Sequence, residues 1–285
     1  AILNERIGET VGFKIKGLTK VSKKTRIVVM TEAILIRMIQ SDPSLPKVGC
    51  IIFDEFHERS INADLGLALS LQLAEILRSD LRIIVMSATL NVGPVSDLLE
   101  TKAPIISDGR AYHVNCQYLA RPKSRNDRGW ENFSELVSEA FEMTEGGILA
   151  FLPGEAEIRA TEKLLKEKLP STAIIMRLYG SLPFEQQNKI LEPLNNKTLR
   201  KVVLSTAIAE TSLTISEIKV VVDSGYTKRS CYDPTSGMSR LITQKISKAE
   251  ANQRMGRAGR IATGWCYRNW AVSEEGGMLE FPPSE

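Results

Sequence analysis

Val48-Gly-Cys-Ile-Ile-Phe-Asp-Glu-Phe-His57 decides the reading of this chain. Val48–Phe53 is apolar with little alternation, as expected of a strand covered on both faces. It runs directly into Asp54, Glu55, Phe56 and His57. In open parallel sheets, ligands gather at the carboxyl ends of strands. Two adjacent acids at such an end fit two readings. In one they serve nucleotide hydrolysis: Asp54 holds Mg²⁺ through water, and Glu55 polarises the attacking water. In the other they are a solvated pair at a strand end. His57 has one histidine companion in the whole chain, His113, in a different setting. A role linking the nucleotide site to the rest of the molecule therefore fits His57 better than a histidine-rich metal site.

Working outward, short β-branched apolar runs recur at Arg26–Met30, Leu81–Met86, Ile148–Leu152, Ala173–Leu178, Val202–Ser205 and Val220–Asp223. Helix-like stretches lie between them, among them Glu32–Gln40, Asp64–Arg78 and Glu155–Leu169. Strand alternating with helix predicts an α/β fold with mostly parallel sheets. The polar, aperiodic stretch Arg121–Gly129 reads as a linker. It divides the chain into residues 1–120 and 130–285, and a length of 285 residues suits about two domains at roughly 150 residues each.

Composition narrows the classes. The chain is 43% hydrophobic and 25% charged, ordinary for a water-soluble fold, and its net charge of +3 selects no partner. Cys50, Cys116, Cys231 and Cys266 are widely spaced and form no C-x-x-C pair, which fits a reducing, cytoplasmic setting. No apolar run approaches the ~20 residues of a membrane span.

Three further segments carry chemistry. Met86-Ser87-Ala88-Thr89-Leu90 ends the next strand with small hydroxyl residues about thirty positions after the acid pair. Ser205-Thr206-Ala207-Ile208-Ala209-Glu210-Thr211-Ser212 crowds hydroxyls after another strand, suited to phosphate contact or to helix capping. Gln253-Arg254-Met255-Gly256-Arg257-Ala258-Gly259-Arg260 is the most specific. Its glycines let the backbone come close while guanidinium forks reach phosphate oxygens. In phosphoryl transfer such arginines would stabilise charge on a γ-phosphate, and Gln253 would orient the attacking water. The plainer alternative is a basic helix end complementing the dipole. Between these last two segments, turn residues Asp233–Gly237 flanked by Ser230–Tyr232 and Leu241–Thr243 predict a β-hairpin.

Taken together, these segments resemble the DEAH-box (DEAH/RHA) superfamily 2 helicases, closest to the bacterial HrpB-type branch. Thr31-Glu32-Ala33 resembles motif Ib, Asp54–His57 motif II, Ser87–Thr89 motif III, Phe151–Gly154 motif IV, Ser205–Ile215 motif V and Gln253–Arg260 motif VI. The resemblance implies two RecA-like lobes with mostly parallel sheets, ATP and Mg²⁺ in the cleft between them, and single-stranded nucleic acid crossing both. RNA is favoured over DNA by the resemblance alone. It implies that Asp54 and Glu55 serve Mg²⁺ and the water, and that Gln253, Arg257 and Arg260 reach the γ-phosphate. By the same carry-over His57, Ser87 and Thr89 couple hydrolysis to movement, Thr31, Glu32 and Thr206 contact nucleic acid, and the Asp233–Gly237 hairpin helps part strands. Ala33 stands where the family often has glycine, and Ala207 where it usually has asparagine.

No segment matches the phosphate cradle G-x-x-x-x-G-K-[ST]. Gly8-Glu-Thr-Val-Gly12-Phe-Lys14 has the wrong spacing, and resembles the stretch downstream of that cradle in this family. The expectation is a fragment: a first lobe shortened at its amino end, and a stop at Glu285 before the family's C-terminal domains. Two functions are consistent with this. One is an ATP-dependent RNA helicase or translocase core. The other is a nucleic-acid-binding fragment unable to hydrolyse ATP by itself. A third, a metal-dependent hydrolase built on Asp54, Glu55 and His57, would need further ligands at metal spacing, and none stands out. Basic residues cluster at Lys14, Lys16, Lys20, Lys23, Lys24 and Arg26 with few aromatics among them, so backbone tracking is expected rather than base stacking.

Overall fold

A computed structural model describes residues 3–88, 92–101, 104–107, 112–122, 130–196, 198–210 and 215–283. Contacts divide the chain into two units, Ala1–Lys102 with Pro283–Glu285, and Ala103–Pro282.

In the first unit, β1 (Val11–Ile15) turns back into β2 (Leu18–Lys20) and pairs on its other side with β3 (Ile27–Met30). The β1–β2 pair is antiparallel and the β1–β3 pair is parallel. Helix α1 (Glu32–Ser41) comes directly after β3. Then come β4 (Cys50–Phe53), α2 (Ile61–Ile76), β5 (Arg82–Val85) and the short α3 (Val92–Leu98). Strands β4 and β5 pair in parallel, Cys50 opposite Arg82 through Phe53 opposite Val85. The core gathers Leu35 and Ile39 of α1, Leu67 and Leu73 of α2, and Ile51 and Phe53 of β4. β4 alternates, with Ile51 and Phe53 buried and Cys50 and Ile52 exposed. The expectation of cover on both faces therefore fails for this strand: its second face is apolar in sequence but open in the structure.

The second unit holds β6 (Val114–Tyr118), α4 (Glu131–Met143), β7 (Gly147–Phe151), α5 (Glu155–Lys168), β8 (Ala173–Leu178) and α6 (Phe184–Leu191). It continues with β9 (Arg200–Ser205), β10 (Ile218–Asp223), β11 (Tyr226–Asp233), β12 (Met238–Lys245), α7 (Lys248–Gly256) and β13 (Gly264–Arg268). Six strands form one sheet in the order β6-β13-β10-β7-β9-β8, and every pairing is parallel. Successive residues serve opposite faces, as strand geometry requires. Val220 and Val222 join Phe133, Val137 and Ile158 on one side, while Val221 joins Leu178, Ile215 and Ala258 on the other. β11 and β12 make the expected hairpin, paired from Tyr226–Lys245 to Asp233–Met238.

The boundary differs from the expectation. The first lobe was expected to run to residue 120, but Val114–Tyr118 is hydrogen-bonded to β13 and belongs to the second unit. The reason is visible in its side chains: Val114 and Cys116 pack on that unit's core, whereas the intervening Asn115 and Gln117 disguise the strand. Most of the expected linker, residues 123–129, lies outside the described residues. Among the described residues, no helix is long and apolar enough to cross a membrane.

Candidate functional site

In the first unit, the acid pair stands at the carboxyl end of β4. Asp54 is exposed, and its Oδ1 accepts the Glu55 N–H at 2.9 Å. Glu55 takes a left-handed conformation, φ 51° and ψ 35°, and opens a 3₁₀ turn over Phe56–Glu58. That conformation is uncommon outside glycine, asparagine and aspartate. Two contacts of the next residue hold it in place. The Phe56 N–H donates to the Met86 carbonyl at 3.0 Å, and the buried Phe56 ring meets Phe53 edge-on at 6.3 Å. The apolar anchor at Phe56 thus fixes the turn carrying both acids and His57.

His57 joins this turn to the end of β5. Its Nδ1 accepts the Ala88 N–H at 3.3 Å and lies 3.6 Å from Glu55 Oε2. A nitrogen that accepts the amide cannot also donate to the carboxylate, so in this arrangement the ring proton sits on Nε2. Ser87 is exposed beside this contact, and Thr89 lies outside the described residues. The structure therefore brings Asp54, Glu55, His57 and the Ser87–Ala88 turn together. Thr31 and Glu32 stand at the end of β3, in the other sheet of the unit. Thr31 is the N-cap of α1, yet its side chain makes no capping bond.

Among the described residues, no group of three or more His, Cys, Asp or Glu side chains could hold a metal ion. A cation at Asp54 and Glu55 would draw its remaining ligands from water and phosphate. That suits Mg²⁺, which keeps several waters and uses one or two carboxylates.

In the second unit, the arginine-rich segment is the end of α7 and the turn after it. The helix starts with a reciprocal cap: Ser247 Oγ accepts the Glu250 N–H at 3.2 Å, and Glu250 Oε2 accepts the Ser247 N–H at 2.7 Å. Gln253 is half-buried, Arg254 and Arg257 are buried, and Arg260 is exposed. Arg257 donates from Nη2 to the Glu210 carbonyl. Gly259 is required by close approach, because a Cβ there would sit 2.6 Å from the Tyr112 carbonyl oxygen. A Cβ at Gly256 would meet nothing within 4 Å, so the backbone-approach reading holds for one glycine of the pair.

Arg254 is the residue that sequence reasoning missed. It is 0% exposed. Its Nε donates to Glu210 Oε1 at 2.6 Å, and its Nη1 to Asp223 Oδ1 at 2.8 Å and the Tyr226 carbonyl at 3.2 Å. The guanidinium also lies 4.9 Å from the Phe151 ring centroid. Burial opposes its charge, but Asp223 and Glu210 outweigh that and raise its pKa. Burial pushes the Glu210 carboxyl up, and Arg254 opposes the shift. A signal was available: Ala251, Arg254 and Ala258 recur at helical spacing, and all three are buried. Thr206 sits at the end of β9, its N–H donating to the Leu178 carbonyl at 3.1 Å, and residues 211–214 of the same segment lie outside the described residues.

Residues 5–98 match the DEAD/DEAH box helicase family, and residues 131–262 match the helicase conserved C-terminal domain. The chain is 42% identical over 263 residues to the ATP-dependent RNA helicase HrpB of Escherichia coli, covering 92% of this chain and 32% of that protein. It is 40% identical over 272 residues to the pre-mRNA-splicing factor ATP-dependent RNA helicase prp22 of Schizosaccharomyces pombe, covering 92% and 23%. The crystal structure of the Escherichia coli DEAH/RHA helicase HrpB superposes with a TM-score of 0.91 at 40% identity, over 99% of this chain and 36% of that one. The chain thus spans about a third or less of the curated relatives it matches. With two matching helicase domains in order and the parallel α/β fold of HrpB, the chain is RecA-like in fold and belongs to the DEAH/RHA helicase family.

Proposed function

We propose that the chain is the motor core of a cytoplasmic ATP-dependent RNA helicase or translocase, coupling ATP hydrolysis to movement along single-stranded RNA. The observation that carries this reading is the junction at the ends of β4 and β5. There two carboxylates succeed a sheet strand, and the histidine beside them accepts a hydrogen bond from an amide in the neighbouring strand's turn. Relatives whose names state ATP-dependent RNA helicase activity support it.

In this reading Asp54 would hold Mg²⁺, its Oδ1 already oriented by the Glu55 amide. When bound, Mg²⁺ offsets charge building on the phosphate oxygens. Glu55 takes the proton of the attacking water, and Gln253 orients that water. Arg257 and Arg260 meet the γ-phosphate; Arg257 exchanges the Glu210 carbonyl for a phosphate oxygen as it does so. His57 senses the Ser87–Thr89 turn through the Ala88 amide. Thr31, Glu32 and Thr206 lie along the nucleic-acid path, where hydroxyls contact the backbone without reading sequence.

One observation favours a narrower activity for this chain alone: its 285 residues contain no G-x-x-x-x-G-K-[ST] cradle. We expect it to bind single-stranded RNA, with affinity falling steeply as salt rises, and to hydrolyse ATP at background rate. In any form of the protein that turns over ATP, Glu55→Gln and Arg257→Ala each lower kcat by about 10²–10⁴-fold. Unchanged turnover in both variants would overturn the assigned roles. RNA-stimulated hydrolysis by this chain that both variants abolish would overturn the narrower reading.

A further inference from the structure

Cys116 of β6 and Cys266 of β13 are direct register partners on neighbouring parallel strands. Both contribute to the same side of the sheet, in the layer shared with Val114, Met255 and Ala258. Adjacent strands lie about 4.8 Å apart, and disulfides bridge Cα atoms about 4.4–6.8 Å apart, so the pair sits within bonding range. Both cysteines are free thiols; Cys116 is partly exposed, and Cys266 is buried. The guanidinium of Arg268 stands two residues further along β13, fixed by the Tyr118 hydroxyl at 2.7 Å, Glu275 Oε1 at 2.5 Å and Asn252 Oδ1 at 2.9 Å. A hydrogen bond from the Cys266 thiol, then the charge of Arg268, lower the Cys116 pKa to about 7 against the push of burial and Glu275. The same bond, burial and the Asp223 carboxylate raise that of Cys266. The arrangement supplies one accessible, activated sulfur and one buried partner aligned with it.

We propose that Cys116 and Cys266 form a peroxide-sensitive dithiol that closes to a disulfide pinning β6 to β13. The Cys116 thiolate attacks one oxygen of hydrogen peroxide. The S–O bond forms as the O–O bond breaks, and hydroxide leaves and is protonated to water. The Cys266 thiol then attacks the Cys116 sulfenic acid. The S–S bond forms, the S–O bond breaks, and a second water leaves with the Cys266 proton. Two thiols lose two electrons, and the peroxide is reduced to two waters. Because Met255 of α7 and Ala258 of the turn after it rest on the same layer, the bond stiffens the support of the segment that carries Gln253 and Arg257.

The test is peptide mapping of the full chain after a stoichiometric pulse of hydrogen peroxide and quenching with an alkylating reagent. The expected result is a non-reduced peptide joining Cys116 to Cys266, with Cys50 and Cys231 alkylated. In Cys266→Ser, Cys116 should be captured by dimedone as the sulfenic acid. Mapping of the unsubstituted chain decides the matter even if that variant does not fold. Cys116 alkylated to the same extent as Cys50 after the pulse, or linked to Cys50 or Cys231 instead, would overturn the proposal.

Discussion

The central strands of the second unit, β7, β9, β10 and β13, are buried on both faces; β4 of the first unit is buried on one. Every residue of β7 is buried, and Val220, Val221 and Val222 are each 0% exposed. In the first unit Val29 is 61% exposed, Ile52 55% and Ile84 45%, although these residues are as apolar as their counterparts. Apolar sequence alone therefore says that a strand wants cover, and not that it has it. The second unit also sinks a charge into its interior, Arg254 between Glu210 and Asp223. The first keeps its ion pairs outside, as with Arg59–Asp64 and Arg78–Asp80. A unit with two covered faces can exclude water from an ion pair, which makes that pair sensitive to the loss of either partner.

The largest expected effect comes from that sensitivity. Arg254→Met should leave two carboxylates buried without a cation and destabilise the second unit by about 3–5 kcal/mol. All three tryptophans, Trp130, Trp265 and Trp270, lie in that unit, so urea unfolding monitored by tryptophan fluorescence reads it selectively. An unchanged midpoint would show that the buried pair contributes nothing. A matched pair of truncations tests the faces themselves. Leu204→Ala, at a position 0% exposed, should cost about 2–5 kcal/mol. Ile84→Ala should cost only about 0.5 kcal/mol, read by hydrogen exchange in β4 and β5. Equal costs would mean that Ile84 is covered in solution. The smallest stability change is expected for Ile52→Lys, within about 0.5 kcal/mol. Its readout is different: binding of a hydrophobic dye should fall, and unchanged binding would assign the dye to another surface.

How legible this was depends on the residue. β8 matched its apolar run, Ala173–Leu178, end to end, although it is an edge strand in which Leu178 is the one buried residue. The hairpin was legible from Asp233–Gly237, where turn chemistry is local: Asp233 Oδ1 accepts the Thr235 N–H at 2.9 Å, and its Oδ2 the Ser236 hydroxyl at 2.8 Å. β1, β2, β6 and β13 escaped notice, being short or interrupted by polar residues. At the site, the acid pair was visible, but the left-handed backbone of Glu55 was not, since the Met86 carbonyl that holds it is some thirty residues away. Arg254 looked like its neighbours in the arginine run. Its partners, Glu210 and Asp223, are 44 and 31 residues distant, and only folding reveals which arginine turns inward.

The hairpin has a mechanical consequence. Near its base, Lys228 is tied to Glu157 of α5 at 2.9 Å, and Arg229 is bonded to Glu250 at the start of α7. Its tip is locked by the bonds of Asp233. Eight paired residues per strand make a beam of roughly 26 Å, clamped to two helices at Lys228 and Arg229 and exposed towards its tip. It behaves as a cantilever. A tilt of about 10° at the clamp would carry the tip, four residues beyond Arg229, through roughly 2–3 Å. Small displacements of α7 would thus emerge, as leverage, at the hairpin tip.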